Sequence, residues 1–87
     1  MSQDSIWEAN KVAWRCRRGL WELDVILQNF YTQHYHSLSN KEKIDFQWLL
    51  LQTDPYLQKI LVYKEEHREI EHDKCMLIKK IISKTIL

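Results

Sequence analysis

The sequence predicts an all-α fold, a small five-helix bundle, and three observations predict it. One glycine and one proline in 87 residues are too few for a turn-rich β fold. Apolar residues make up 45% of the chain and aromatics 11%, which is enough for a core and unlike a disordered chain. The apolar residues also recur at helical spacing in successive segments. The chain reads as one helical domain, residues 1–87, whose stability margin is thin because so short a domain buries only about 60–65% of its unfolded surface.

The first helix is expected from about Ser5 to Arg18, with Asp4 or Ser5 as its cap. Ile6, Ala9, Val12, Ala13 and Cys16 share one face. Trp7 and Trp14 lie off that face, in line with Lys11 and Arg18, and are expected in the core because large aromatics of small domains mostly pack inward. The lone glycine, Gly19, follows as a helix terminator in left-handed backbone conformation. The second helix runs from about Leu20 to Tyr35, with Leu20, Leu23, Ile26, Leu27, Phe30, Tyr31 and His34 as its stripe. Glu22, Asn29 and Gln33 face solvent. Trp21 and Val25 fall off the stripe, so Trp21 either folds over its own helix or belongs to a binding surface.

Ser39-Asn40-Lys41-Glu42 is a capping box and starts the third helix. Ile44, Phe46, Trp48, Leu49, Leu50 and Leu51 then point in almost every direction, which predicts the buried centre of the bundle, Trp48 included. Gln52-Thr53-Asp54-Pro55 ends that helix and starts a short fourth one, with Asp54 as cap, Pro55 in the first helical position, and Leu57, Ile60 and Leu61 inside. A break near Lys64–His67 is inferred from the lost apolar period alone. The last helix carries Ile70, Leu77, Ile78, Ile81, Ile82 and Thr85 on one face. Its start is acidic (Glu65, Glu66, Glu69, Glu71) and its end basic (Lys79, Lys80, Lys84), which suits the macrodipole.

Composition narrows function mostly by exclusion. Thirteen basic residues against 12 acidic give a formal net charge of +1, which argues against a nucleic-acid binder. The longest wholly apolar run, Trp48 to Leu51, is far below the ~20 residues of a membrane span. Nothing in Met1-Ser2-Gln3-Asp4 marks secretion, so the expected setting is cytoplasmic, with Cys16 and Cys75 as reduced thiols. His34, His36, His67, His72 and Cys75 show no recognised metal-ligand spacing, although His72 and Cys75 are three apart. Cys16 sits on an inner face, where a thiol is usually inert, and no glycine-rich phosphate loop exists. Glu22 and Asp24, two apart on a helix, point to different sides. No metal, no catalytic residue and no tightly bound cofactor are expected.

What remains is the corner Arg17-Arg18-Gly19-Leu20-Trp21-Glu22-Leu23-Asp24, which sets cations, a bare backbone and anions side by side. Arg18 and Glu22, four apart, either pair with each other on the surface or orient a partner that approaches over Gly19.

This corner resembles the SdhE/YgfY family of succinate dehydrogenase flavinylation factors. Their signature, R-G-x-x-E, is Arg18-Gly19-Leu20-Trp21-Glu22, within a W-x-C-R-R-G-x-x-E-L-D frame matched by Trp14 to Asp24. The likeness continues through Tyr35-His36-Ser37-Leu38-Ser39, Glu42, Phe46, Leu49-Leu50 and Asp54-Pro55, covers about residues 14–61, and fades in the last helix. Two departures stand out: Ile60 replaces a common tryptophan, and the glycine or proline often found before the last helix is missing.

The resemblance implies a non-enzymatic assembly factor, a monomer when free, that binds the flavoprotein subunit of succinate dehydrogenase or fumarate reductase. It would promote covalent attachment of FAD to that partner. Partner contacts are expected at Arg18, Gly19 and Glu22, with Trp14, Arg17, Trp21 and Asp24 beside them. The alternatives are the antitoxin half of a toxin–antitoxin pair, which some members have been held to be, and a small metal- or redox-sensing helical protein.

Overall fold

A computed structural model of the protein describes residues 6–65 and 70–84. Among them the elements are α-helices with no strand: α1 (Ala9–Arg15), α2 (Trp21–His34), α3 (Asn40–Leu50), α4 (Asp54–Leu57) and α5 (His72–Lys84). A 3-10 turn, Tyr35–Ser37, follows α2, and a π-helical turn, Gln58–Val62, extends α4.

α1 is shorter than its apolar spacing predicts, and the proposed start at Asp4 or Ser5 lies outside the described residues. Just before the helix, the Trp7 N–H donates to Gln47 Oε1 at 2.6 Å, so the entering chain is tied to α3 instead of winding. Of the expected inner face only Val12 and Cys16 are buried; Ile6 and Ala9 are exposed. Trp7 packs half-buried against the core, as expected, while Trp14 stands out in solvent.

α2 follows its sequence pattern closely. Leu23, Ile26, Leu27 and Phe30 are buried, and Leu20 and Tyr31 pack against them. Phe30 and Tyr35 each set a ring 5.6 Å from that of Phe46 on α3, fixing α2 over α3.

The capping box is real. Ser39 Oγ accepts from the Glu42 N–H at 3.1 Å, and Glu42 Oε1 accepts from the Ser39 N–H at 2.9 Å. The expectation that α3 is apolar and buried all round is corrected, however. Phe46, Leu49 and Leu50 face the core, but Trp48 is only half-buried and Leu51 is exposed. The interior positions are shared with two polar residues, Asp45 and Gln47. Trp48 sits at the edge with the Lys74 ammonium 5.4 Å over its ring, a place where an aromatic face is useful without full burial.

Thr53, not Asp54, caps α4: its hydroxyl accepts from the Tyr56 N–H at 3.4 Å, and Asp54 and Pro55 fill the first turn. Leu57, Ile60 and Leu61 are buried as expected, Ile60 as a well-packed aliphatic. The break comes at Lys64, which takes a left-handed φ of 57°. The Glu65 N–H then closes back on the Lys59 carbonyl at 2.9 Å, satisfying one of the helix's last acceptors. Leu77, Ile78 and Ile81 of α5 complete the core against α3 and the π-helical turn. Glu66, His67, Glu69 and Thr85 lie outside the described residues.

Candidate functional site

The corner between α1 and α2 is built by two carboxylates that reach it from different directions. α1 ends when the Cys16 N–H bonds back to Val12 and Ala13, and Arg17 follows with one last bond to the Trp14 carbonyl at 3.1 Å. Arg18 has left the helix. Its N–H donates instead to Asp24 Oδ1 at 2.9 Å, from the first turn of α2. That backbone bond, helped by Gln28 and the nearby Arg17 charge, holds the Asp24 carboxyl below its ordinary range. Asp24 thus fastens the linker to α2.

The Arg18 side chain turns inward, only 14% exposed. Nη2 donates to the Leu50 carbonyl and Nη1 to the Gln52 carbonyl at 3.4 Å, so the guanidinium satisfies acceptors that α3 leaves open at its carboxyl end. Nη1 also pairs with Asp54 Oδ1 at 3.3 Å. Nε is buried without a hydrogen-bond partner among the described residues. The Arg18–Glu22 surface pair, one of the two arrangements the sequence left open, is therefore not formed. A planar fork can serve two carbonyls and a carboxylate at once, and those lie across the bundle, not on the next turn.

Gly19 is also corrected. It is exposed, but its φ is not positive, because α1 has already ended at Cys16 and no left-handed residue is required to stop it. A Cβ placed there would meet Asp54 Oδ2 at 3.7 Å, an ordinary contact. What Gly19 offers is a bare, accessible backbone beside a carboxylate.

The outward side of the corner is aromatic and acidic. Trp14 and Trp21 are 72% and 70% exposed. Glu22 is half-exposed and makes no ion pair or hydrogen bond among the described residues. Arg17, 66% exposed, lies 3.7 Å from Asp24. Of the seven residues singled out in the sequence, Trp14, Arg17, Gly19, Trp21 and Glu22 thus lie toward solvent, and Arg18 and Asp24 hold the structure that carries them. Sequence reading missed Asp54 as a member of the site, since the only local signal at Asp54-Pro55 is that of a helix start.

Cys16 lies behind the corner, fully buried. Burial pushes its thiol up to about 12, against the Arg18 charge that lowers it, so it stays protonated and is inert packing. Among the described residues no group of three or more His, Cys, Asp or Glu side chains is placed to hold a metal ion. Cys75 bonds instead to the Ile70 carbonyl at 3.5 Å. Among the described residues no helix is long and apolar enough to cross a membrane.

Comparison with known proteins agrees with the corner's signature. Residues 10–84 match the family model described as "Flavinator of succinate dehydrogenase". The chain belongs to this family. It is 45% identical over 71 residues to the FAD assembly factor SdhE of Wigglesworthia glossinidia brevipalpis, an alignment that covers 82% of this chain and 77% of that protein. It is 47% identical over 49 residues to the FAD assembly factor SdhE of Coxiella burnetii, covering 56% of this chain and 60% of the relative. With the SdhE of Haemophilus ducreyi it shares 45% over 47 residues, or 54% of this chain and 57% of the relative. These two alignments span well under two thirds of the relatives' length. No solved structure matches the chain.

Proposed function

We propose that this protein is a non-catalytic assembly factor that binds the flavoprotein subunit of succinate dehydrogenase, with fumarate reductase as a second client. It would promote covalent attachment of FAD there. Family membership supplies the class, and one observation carries the site. Glu22, whose side chain has no ion pair or hydrogen bond among the described residues, follows the exposed Trp21 on a corner that Arg18 and Asp24 tie down, and Trp14 is exposed as well. Exposed aromatics beside an unpaired charge suit a protein partner, because each loses water that only a partner's groups replace. A pre-fixed corner also loses little freedom on docking.

The factor's own contribution is positioning. The one thiol at the corner is buried and kept protonated, so it is no nucleophile, and FAD is met on the partner instead of being held by this chain. It acts as a monomer in the cytoplasm, in keeping with its two free cysteines.

The test is reconstitution with purified flavoprotein subunit and FAD, following covalent flavin by its fluorescence in the denatured subunit. The wild type should accelerate attachment. Glu22→Ala should leave the melting temperature almost unchanged and remove most of the acceleration, and Trp21→Ala should reduce it. Full acceleration by Glu22→Ala would move the contact surface away from the corner.

A further inference from the structure

Arg18 is held at both ends. Its main chain is bonded to Asp24 of α2, and its guanidinium to the junction of α3 and α4. Between these ends lie the residues that lead into Trp21 and Glu22. Among the described residues the only side-chain partner of the guanidinium is Asp54, and its other bonds go to main-chain carbonyls. Thr53 already caps α4, so the Asp54 carboxylate is not consumed in starting its helix. It touches the corner twice: Oδ1 meets Arg18, and Oδ2 is the nearest atom to where a Cβ on Gly19 would stand, at 3.7 Å. One carboxylate, 36 residues along the chain from Arg18, thus sits against the first two residues of the signature.

We infer that Asp54 is a positioning residue for the partner-facing corner. Acting through Arg18, it sets where Gly19, Trp21 and Glu22 stand relative to α3 and α4. This rests on reading the corner as the flavoprotein-facing surface. The carbonyls of Leu50 and Gln52 accept from Arg18 whatever its exact rotamer, since each offers broad lone-pair directions. The carboxylate adds the charge-assisted bond that selects one orientation of the fork. Without it the guanidinium keeps its carbonyl bonds but loses the anchor nearest Gly19. The corner then moves relative to the rest of the bundle while the core stays packed.

The experiment uses the full chain labelled with fluorotryptophan, which gives one fluorine NMR line for each of its four tryptophans. The Trp21 line is assigned by its loss in Trp21→Phe. Asp54→Ala should shift the Trp21 line and leave that of Trp48, whose ring lies under Lys74, in place. Affinity for the purified flavoprotein subunit should fall about tenfold, in the middle of the range for changes that act at one remove. Asp54→Asn, whose amide oxygen still accepts from Arg18, should show the same changes at smaller size, and it serves for both readings if Asp54→Ala does not fold. A lowered melting temperature with an unmoved Trp21 line, or a moved line with unchanged affinity, would overturn the positioning role. If the wild type itself does not bind the subunit, the functional reading fails, and the Trp21 line alone decides whether Asp54 places the corner.

Discussion

Among the described residues two charged side chains turn inward, and the two are accommodated in opposite ways. At the corner it is a cation, Arg18, mostly but not fully covered, and its partners are two main-chain carbonyls and Asp54. Between α3 and α5 it is an anion, Asp45, 1% exposed, with the Lys41 and Lys74 ammoniums at 3.0 and 3.5 Å. Both lysines also reach Glu71, at 3.0 and 3.3 Å. Asp45 Oδ2 is left buried without a hydrogen bond among the described residues. The partners of Arg18 cannot leave, because they are the end of a helix. The partners of Asp45 are the tips of flexible chains that keep a second carboxylate and access to water. The cost of losing a buried charge is set by what stays behind.

That difference ranks the expected effects. Arg18→Ala strands the Leu50 and Gln52 carbonyls and Asp54 together, and should cost about 3 kcal/mol in denaturant unfolding. Arg18→Lys, which keeps the charge but not the fork, should recover only part of it. A cost below about 1 kcal/mol for Arg18→Ala would mean water replaces the guanidinium freely, and the contrast would collapse. Asp45→Asn should cost about 1 kcal/mol or less, since Lys41 and Lys74 still share Glu71. A larger loss than that of Arg18→Ala would reverse the ranking.

Acid titration sharpens the comparison further. Asp24 at the corner and Glu71 in the lysine cluster both titrate below their ordinary values of 3.8 and 4.5. Each therefore contributes stability that is present above the unfolded-state value and lost as pH falls through the folded one. The causes differ: a main-chain N–H from Arg18 leads for Asp24, and the lysine ammoniums, Lys41 first, for Glu71. Asp24→Asn should flatten the acid limb of stability against pH at any salt concentration. Glu71→Gln should flatten it at low salt and have little effect at high salt, where exposed ion pairs are screened. Identical salt dependence in the two variants would remove this distinction.

The smallest effect is expected at Gly19. With φ outside the left-handed region and open space up to Asp54, Gly19→Ala should change stability by no more than about 0.5 kcal/mol in either direction. A loss above about 1 kcal/mol would restore a strained turn at this position. Its effect on the proposed partner is a separate matter, read from flavoprotein binding, where the added methyl group would face the proposed docking surface.

Local rules carried much of the fold. The Ser39–Glu42 box, the Thr53-Asp54-Pro55 start and the stripes of α2 and α5 are interactions between residues three or four apart, so their geometry is written in the spacing. The signature of the corner was legible for the same reason, being one continuous stretch. Even the break at Lys64 showed as lost periodicity, although nothing in the sequence said that a lysine would take the left-handed turn.

The sequence by itself thus determined the helices, most of their inward faces and the family. Only the tertiary structure decided which way Arg18 points, that Gly19 needs no special conformation, that Trp48 stays at the edge, and that Asp45 and Gln47 go inside. All but the Gly19 backbone depend on groups tens of residues away: Arg18 on Leu50, Gln52 and Asp54, Trp48 and Asp45 on Lys74, Gln47 on Trp7. A long polar side chain chooses its partner by where rigid acceptors stand once the helices have packed, and no spacing within one helix encodes that.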